Sequence, residues 1–428
     1  MGKLTGNVLL LATGVALTTG ISAEAEELTF DYSGSIRVRY ETLNNPIFPT
    51  TEDVRPKTND RISTRIRLKG EANYGKWNAV AEIEDSRAYL DENDVTLKSS
   101  QVNTLEPVQF YLSYKGISEH VERVTVGRVT LDHGSRRLLA RTRYRNATSS
   151  FEGVLVDTVF NGWEVRGFYL QPVSRFPSDS ASVEDNKRAF DKSFSNRKLF
   201  GIYAQSDDNA WKVHSYWLKE SDSPELSTKN RDIYTLSVDY SKNFADGWKS
   251  NIEAIGQTGT SRQSTSASDT TDRDVRAWMV HAHVGKQITD STFLRAEIDA
   301  ASGDDNSADD TIHAFDSLYG LRRFDFGPTD VYQTFPRSNI LAPGLRSVTK
   351  LNGVHNIMVG YKGLWLQNVA DGEEDFLGHQ LEVRWRYQVL EPLRLEFGGA
   401  YLAKGEALET GAYPDNSMYA YTAVMYTF

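Results

Sequence analysis

Cysteine is absent from all 428 residues, which removes disulfides, thiolate metal sites, iron–sulfur clusters and cysteine nucleophiles together. Proline is sparse at 12 residues, and apolar side chains supply only 39% of the chain. Globular chains run at roughly 45–50% apolar, so a single conventional core would be lean for this length. Basic residues number 48 against 58 acidic ones, a formal charge of −10 and the wrong sign for a surface that gathers nucleic acid. No stretch approaches the roughly 18 consecutive apolar residues of a membrane helix. G-x-S-x-G, H-E-x-x-H and P-loop motifs are all missing, and the sequence points to no enzyme and no cofactor. Aromatic side chains, in contrast, are plentiful: 21 Tyr, 19 Phe and 8 Trp, too many for a disordered chain.

Lys3 followed by the apolar stretch Val8–Leu17 and then small residues reads as a secretory signal peptide over residues 1–25. Ala23-Glu-Ala25 is one cleavage pattern and Ile21-Ser-Ala23 the other. The remainder, residues 26–428, is expected to be one exported domain.

Strict alternation recurs through that domain. Tyr32, Gly34, Ile36, Val38 and Tyr40 interleave with Ser33, Ser35, Arg37, Arg39 and Glu41. Leu381, Val383, Trp385 and Tyr387 interleave with Gln380, Glu382, Arg384 and Arg386. A period of two is the mark of a β-strand with two different faces. Eighteen such segments are expected, from residues 30–41 to 417–428, of which 354–361 and 363–368 carry the weakest pattern. Without those two the count is sixteen. Short connections such as Gly75-Lys76 and Phe160-Asn161 alternate with long polar ones such as 129–147, 172–196 and 303–353. Short turns at one end and long loops at the other are the pattern of a transmembrane antiparallel β-barrel with extracellular loops and periplasmic turns. Closure satisfies the backbone in lipid, and about eighteen strands leave an aqueous lumen. Met418, Ala420, Thr422, Val424, Tyr426 and Phe428 share one face of the final strand, as in the closing strand of outer-membrane barrels. The expected location is the outer membrane of a Gram-negative bacterium.

The inward parity carries the candidate site. Arg37, Arg39, Arg65, Arg67, Arg384, Arg386 and Arg394 fall on first and last strands that closure brings together. Two outcomes are open: a connected basic wall presenting planar donors to carboxylates, or internal pairing with Glu71, Glu382 and Glu396. A second cluster, Arg128, Arg136, Arg137, Arg141, Arg143 and Arg145, belongs mostly to the third long loop. It either folds inward as a constriction or stays outside against lipopolysaccharide phosphates or water. Arg128 shares the outward parity of Val124 and Val126, so either a bulge at Gly127 re-aims it or it stands beyond the lipid band. Asp304, Asp305, Asp309 and Asp310 do not fit a calcium loop, since Ala308 and Asp309 sit at the wrong positions. His133, His281, His283 and His313 lack a nucleophile arrangement, and no metal is expected.

Several motifs resemble the alginate-export porin family of outer-membrane barrels. They are Val126-Gly-Arg128 ahead of the arginine-rich loop, Phe151-Glu-Gly-Val154, and Ala301-Ser-Gly-Asp-Asp-Asn306 with Phe315-Asp-Ser-Leu-Tyr319. Arg337-Ser-Asn-Ile340 with Pro343-Gly344 is similar to a variant loop in that family. The resemblance implies eighteen strands and an arginine-lined pore for an anionic uronate polymer. Arg136, Arg137, Arg141 and Arg143 would join the seven wall arginines in lining it. The family's exporter has a long plugging turn near its C-terminus, where this chain has only short turns such as Gln388–Glu391. The expected function is passage of anionic polysaccharide or oligosaccharide, with passive passage of oligosaccharide favoured over gated secretion; the alternative is a general or differently selective diffusion porin. Expected partners are the anionic saccharide, outer-membrane lipid and lipopolysaccharide, with no nucleic acid and no periplasmic protein specified.

Overall fold

The computed structural model describes residues 27–47, 56–91, 94, 96–304 and 309–428. The expected signal peptide, and Asp305 and Asn306 of the acidic loop, lie outside the described residues. Eighteen long strands build the fold. The first nine are β1 Thr29–Asn44, β2 Thr58–Tyr74, β3 Trp77–Tyr89, β4 Asn103–Lys115, β5 Arg123–Val129, β6 Phe151–Phe160, β7 Trp163–Ser174, β8 Arg197–Ser206 and β9 Trp211–Glu220. The rest are β10 Asp232–Asn243, β11 Trp248–Ser261, β12 Arg273–Gln287, β13 Thr292–Ala301, β14 Ile340–Leu351, β15 His355–Trp365, β16 Phe376–Leu390, β17 Leu393–Lys404 and β18 Ser417–Thr427. Each pairs antiparallel with its neighbour in sequence, and β1 pairs with β18 from Ser35 opposite Thr427 to Asn44 opposite Met418. The sheet closes on itself.

Alternation explains the closure. In β1, Tyr32, Ile36, Val38 and Tyr40 look outward and are exposed, whereas Arg37, Arg39 and Glu41 point inward and are buried. The same split places Leu381, Val383 and Trp385 outside and Gln380 and Glu382 inside on β16. An apolar outer band with a polar interior is the inverse of a soluble core and suits a barrel in lipid. Aromatic side chains collect at both ends of the band. Trp77 meets Tyr114 edge-on at 4.7 Å and Trp211 lies 4.4 Å from Tyr240 near the short turns. Trp217 stacks on Tyr234 at 5.2 Å near the long loops. The short connections span two to seven residues and the long ones ten to thirty-eight. One of the three two-residue turns, Asn161-Gly162, holds φ of 49° and 77°, a left-handed pair that Asn-Gly adopts readily and that matches the twist of a hairpin.

Two sequence expectations need correction. Segments 354–361 and 363–368 are one strand, β15, with Lys362 inside it rather than at a turn. The missing member of the count is β14, inside what reads from sequence as a 51-residue connection, 303–353. Pro343-Gly344 interrupts its alternation, yet the proline pairs in register with Ile298 of β13. On the other side, the ladder to β15 passes from Leu341–Trp365 to Gly344–Lys362 without bonding Ala342 or Pro343, so the absent N–H leaves no gap. The motif around Arg337 and Pro343 is thus half loop and half strand. Of the two alternatives open for Arg128, the bulge is absent, since both ladders of β5 run through Gly127 without a register shift. Arg128 looks outward at the loop end of this short strand, where Glu106 and Glu152 neutralise it.

Candidate functional site

Two long loops fold into the lumen. Loop 3 (130–150) and the described part of loop 7 (302–304 and 309–339) are joined by main-chain bonds: Tyr319 donates to Leu138 at 2.9 Å, Leu321 to Arg136 at 2.9 Å and Ala140 to Tyr319 at 3.2 Å. Arg137 and Asp325 lock the joint. The Arg137 guanidinium reaches Asp325 at 2.9 and 3.1 Å and Glu253 on β11 at 2.8 Å, while Arg337 meets the same Asp325 at 2.5 Å. Burial alone would raise the Asp325 carboxyl, but the two guanidiniums outweigh it and hold it well below the usual carboxylate range. Further ties fix the loop body to the wall: Asp330 to Arg39, Arg323 to Glu382 at 2.5 Å, Tyr332 to Gln380 at 2.7 Å and His133 to Tyr216 at 2.9 Å.

Beneath this body, against β1, β2 and β16–β18, lies a cavity of about 510 Å³. Among the described residues, twelve arginines and one carboxylate, Glu396, line it. Of the residues singled out from sequence, Arg37, Arg39, Arg65, Arg67, Arg136, Arg143, Arg145, Arg384, Arg386 and Arg394 meet there. Arg137 and Arg141 do not. Arg137 belongs to the loop joint, and Arg141 is paired with Glu82 on β3 at 2.5 Å. Arg322 and Arg323 complete the lining. Their signal in the sequence was the Arg322-Arg323 doublet, inside a connection whose path no periodicity reveals.

The arginines are not equivalent. Arg37 and Arg65 donate to the loop 3 carbonyls of Arg143, Tyr144 and Arg145 at 3.0–3.1 Å and so clamp the loop rather than face solvent. Asn146 anchors the same turn, accepting from Arg37 at 2.8 Å and donating to Thr64, Arg87 and Gln101 carbonyls. Arg39 sits between Glu41 and Asp330, Arg67 on Glu84 at 2.6 Å, and Arg386 on Glu396 at 2.6 Å. Arg143 pairs with Asp132 at 2.6 Å but stays largely exposed. Arg384 has no hydrogen bond or ion pair among the described residues, and Arg394 has only the Met425 sulfur at 3.6 Å. On the loops, burial and then the nearby Arg322 and Arg175 lower Arg145 to about 9, and burial with Arg337 lowers Arg322 to about 10. All remain charged at neutral pH and are held close together with too few counter-charges, an arrangement that favours an incoming anion.

His281, Asp299 and Asp325 also converge, each buried. Lys362 already holds Asp299 at 2.5 Å, and Arg137 and Arg337 hold Asp325. A cation there would meet three fixed positive charges, so the cluster reads as an ion-pair network.

The model of the alginate export family matches residues 29–420. The chain belongs to the alginate export family. No curated protein matches the sequence. Solved structures match the fold. Pseudomonas aeruginosa OccK9 (OpdG) superposes with a TM-score of 0.62 at 12% identity, covering 93% of this chain and 98% of that one. A BenF-like porin from Pseudomonas fluorescens Pf-5 gives 0.61 at 10% identity, covering 93% and 98%. P. aeruginosa OpdK with vanillate gives 0.57 at 12% identity, again covering 93% and 98%. This alginate-export family member is an eighteen-stranded channel of the outer membrane.

Proposed function

We propose that the channel passes anionic saccharides, uronate oligomers of the alginate type, along the arginine wall. The observation that carries this reading is the lining of the cavity, twelve arginines against one carboxylate in a chain whose overall charge is −10. Fixed charges in a narrow, low-dielectric passage outweigh the net charge of the molecule. Arg384 and Arg394 offer carboxylates donors that the fold leaves unused, while the paired arginines give many weaker exchange points. Weak multiple sites suit conduction, because a ligand enters without being trapped. The role is transport, with outer-membrane lipid and lipopolysaccharide as the surroundings of the apolar outer band.

One observation favours a second reading, a porin for small organic anions. Loops 3 and 7 supply part of the lining of the arginine cavity, whose volume is about 510 Å³. That volume lies in the usual range, roughly 300–1,000 Å³, for a single small ligand. Single-channel recordings distinguish the two. Reversal potentials should show anion selectivity under either reading. Reversible block by a uronate trisaccharide at lower concentration than by vanillate supports the first reading; the opposite order supports the second. A cation-selective channel contradicts both.

A further inference from the structure

The outer wall exposes many large apolar side chains, as lipid requires, but Phe324 is exposed on the inside. It stands 37% exposed in the single helical turn Arg323–Phe326 of loop 7 and lines the arginine cavity. The Arg136 guanidinium lies over its ring, 4.3 Å from the centroid. The other aromatic side chains of the cavity are already engaged. Tyr144 carries Arg39 at 4.4 Å and Arg323 at 4.7 Å and meets Tyr421 edge-on at 5.6 Å, and Tyr421 donates to Glu396 at 2.8 Å. A phenyl ring held in water among charged groups gains only when an apolar surface covers it. The charge around it specifies the cover: with Arg384 and Arg394 unpaired in the same cavity, the ligand must be anionic as well as apolar on one face.

A uronate pyranose has both properties, a carboxylate at its edge and a face of C–H groups. We propose that Phe324, with Arg136 on its ring, is a stacking platform that makes the cavity selective for ring-bearing carboxylates over acyclic ones of equal charge. The inference rests on the anionic-saccharide reading above. The ring face packs on Phe324 while the free guanidiniums take the carboxylate, so charge and shape are read by different residues.

The test uses full-length channel in planar bilayers and two probes of charge −3, a galacturonate trisaccharide and the acyclic tricarballylate. The concentration of each that halves the single-channel current is measured. Wild type should favour the trisaccharide by about five- to tenfold, the scale of an aromatic contact. Phe324→Ala should bring that ratio near one, and Phe324→Trp should keep it. Phe190→Ala is the control: Phe190 is 57% exposed in loop 4 (175–196) with Arg188 at 4.2 Å over its ring, the same pair placed outside the cavity. The control should leave the ratio unchanged. A ratio near one in wild type, or one that survives Phe324→Ala, overturns the platform. Wild-type reversal potentials, read separately, decide the underlying anion reading: anion selectivity without ring preference removes the platform alone, and cation selectivity removes both.

Discussion

Neutralising Arg384 removes a cavity charge that no carboxylate of the described fold balances directly. Its effect on permeating ions follows from Coulomb's law. At about 6 Å from a passing ion, with an effective dielectric of about 40 between those of water and protein, one unit charge is worth about 1.4 kcal/mol, or tenfold in local occupancy. Salt near 0.1 M, with a Debye length of about 10 Å, reduces this energy to about 0.8 kcal/mol and leaves about 3.5-fold for each ion. Arg384→Gln should therefore lower chloride occupancy and raise potassium occupancy by that factor each, so that the chloride-to-potassium permeability ratio falls about twelvefold, and about 150-fold for Arg384→Glu, a change of two units. Arg394→Glu should act in the same sense, since Arg394 has only a sulfur contact. Arg65→Glu is a poorer probe, because Arg65 holds the carbonyls of Arg143 and Arg145 and its loss also loosens loop 3. The assay is the reversal potential across a bilayer bearing a salt gradient of about tenfold. If Arg384→Glu leaves that potential where it was, ions do not pass this wall and the arginines there serve only the architecture.

Other expectations concern the loop body. Asp325→Ala leaves Arg337 without its carboxylate and takes one of two from Arg137; breaking such a buried network costs about 3–5 kcal/mol and should raise open-channel noise and mean conductance in single-channel records. Asn146→Ala orphans three carbonyl acceptors and one Arg37 donor, about 2–3 kcal/mol in all, and should expose loop 3 to protease in native-state proteolysis while the strands stay resistant. Acid should act through Asp325. Its carboxyl is depressed in the folded state, so the stabilisation it gives is fully present above its unfolded value of about 3.9 and is lost as pH falls through the folded one. Conductance should thus hold steady from about pH 8 to about pH 5 and become noisy only well below about pH 4; noise that begins near pH 6 would implicate a histidine instead.

The barrel was legible because two signals with different physics agreed. Alternation in segments such as 30–41 and 376–387 reports a lipid face backed by a water face, and the unequal lengths of successive connections report the two sides of a membrane. Strand β14 escaped because Pro343-Gly344 breaks the alternation, and a proline inside a ladder is visible only once its neighbours are placed. For the candidate site, strand parity was enough to gather Arg37, Arg39, Arg65, Arg67, Arg384, Arg386 and Arg394, because closure is a property of the whole ring. Loop residues carry no such periodicity. Arg141 turns to Glu82 and Arg137 to Asp325, while Arg322 and Arg323 arrive from a connection whose path depends on its pairing with loop 3. Nor does parity reveal which arginines keep a free charge. That depends on whether a carboxylate, a carbonyl or nothing lies within reach, a matter of ångströms.

The seam between β1 and β18 has a consequence for how the molecule assembles. Seventeen of its eighteen strand junctions join neighbours along the chain, and one joins residues as far apart as Ser35 and Thr427. The seventeen form by short closures, each at a modest entropic cost; the last requires both ends of nearly the whole chain to meet. It also requires them to meet in register. A slip of two residues at any junction keeps every side chain on its proper face, yet it carries through to the seam, where Arg37 and Met425 would no longer stand opposite one another. Ring closure thus rejects errors that the local alternation tolerates, and unsealed barrels should accumulate, with an open edge, whenever assembly goes wrong at any point around the circumference.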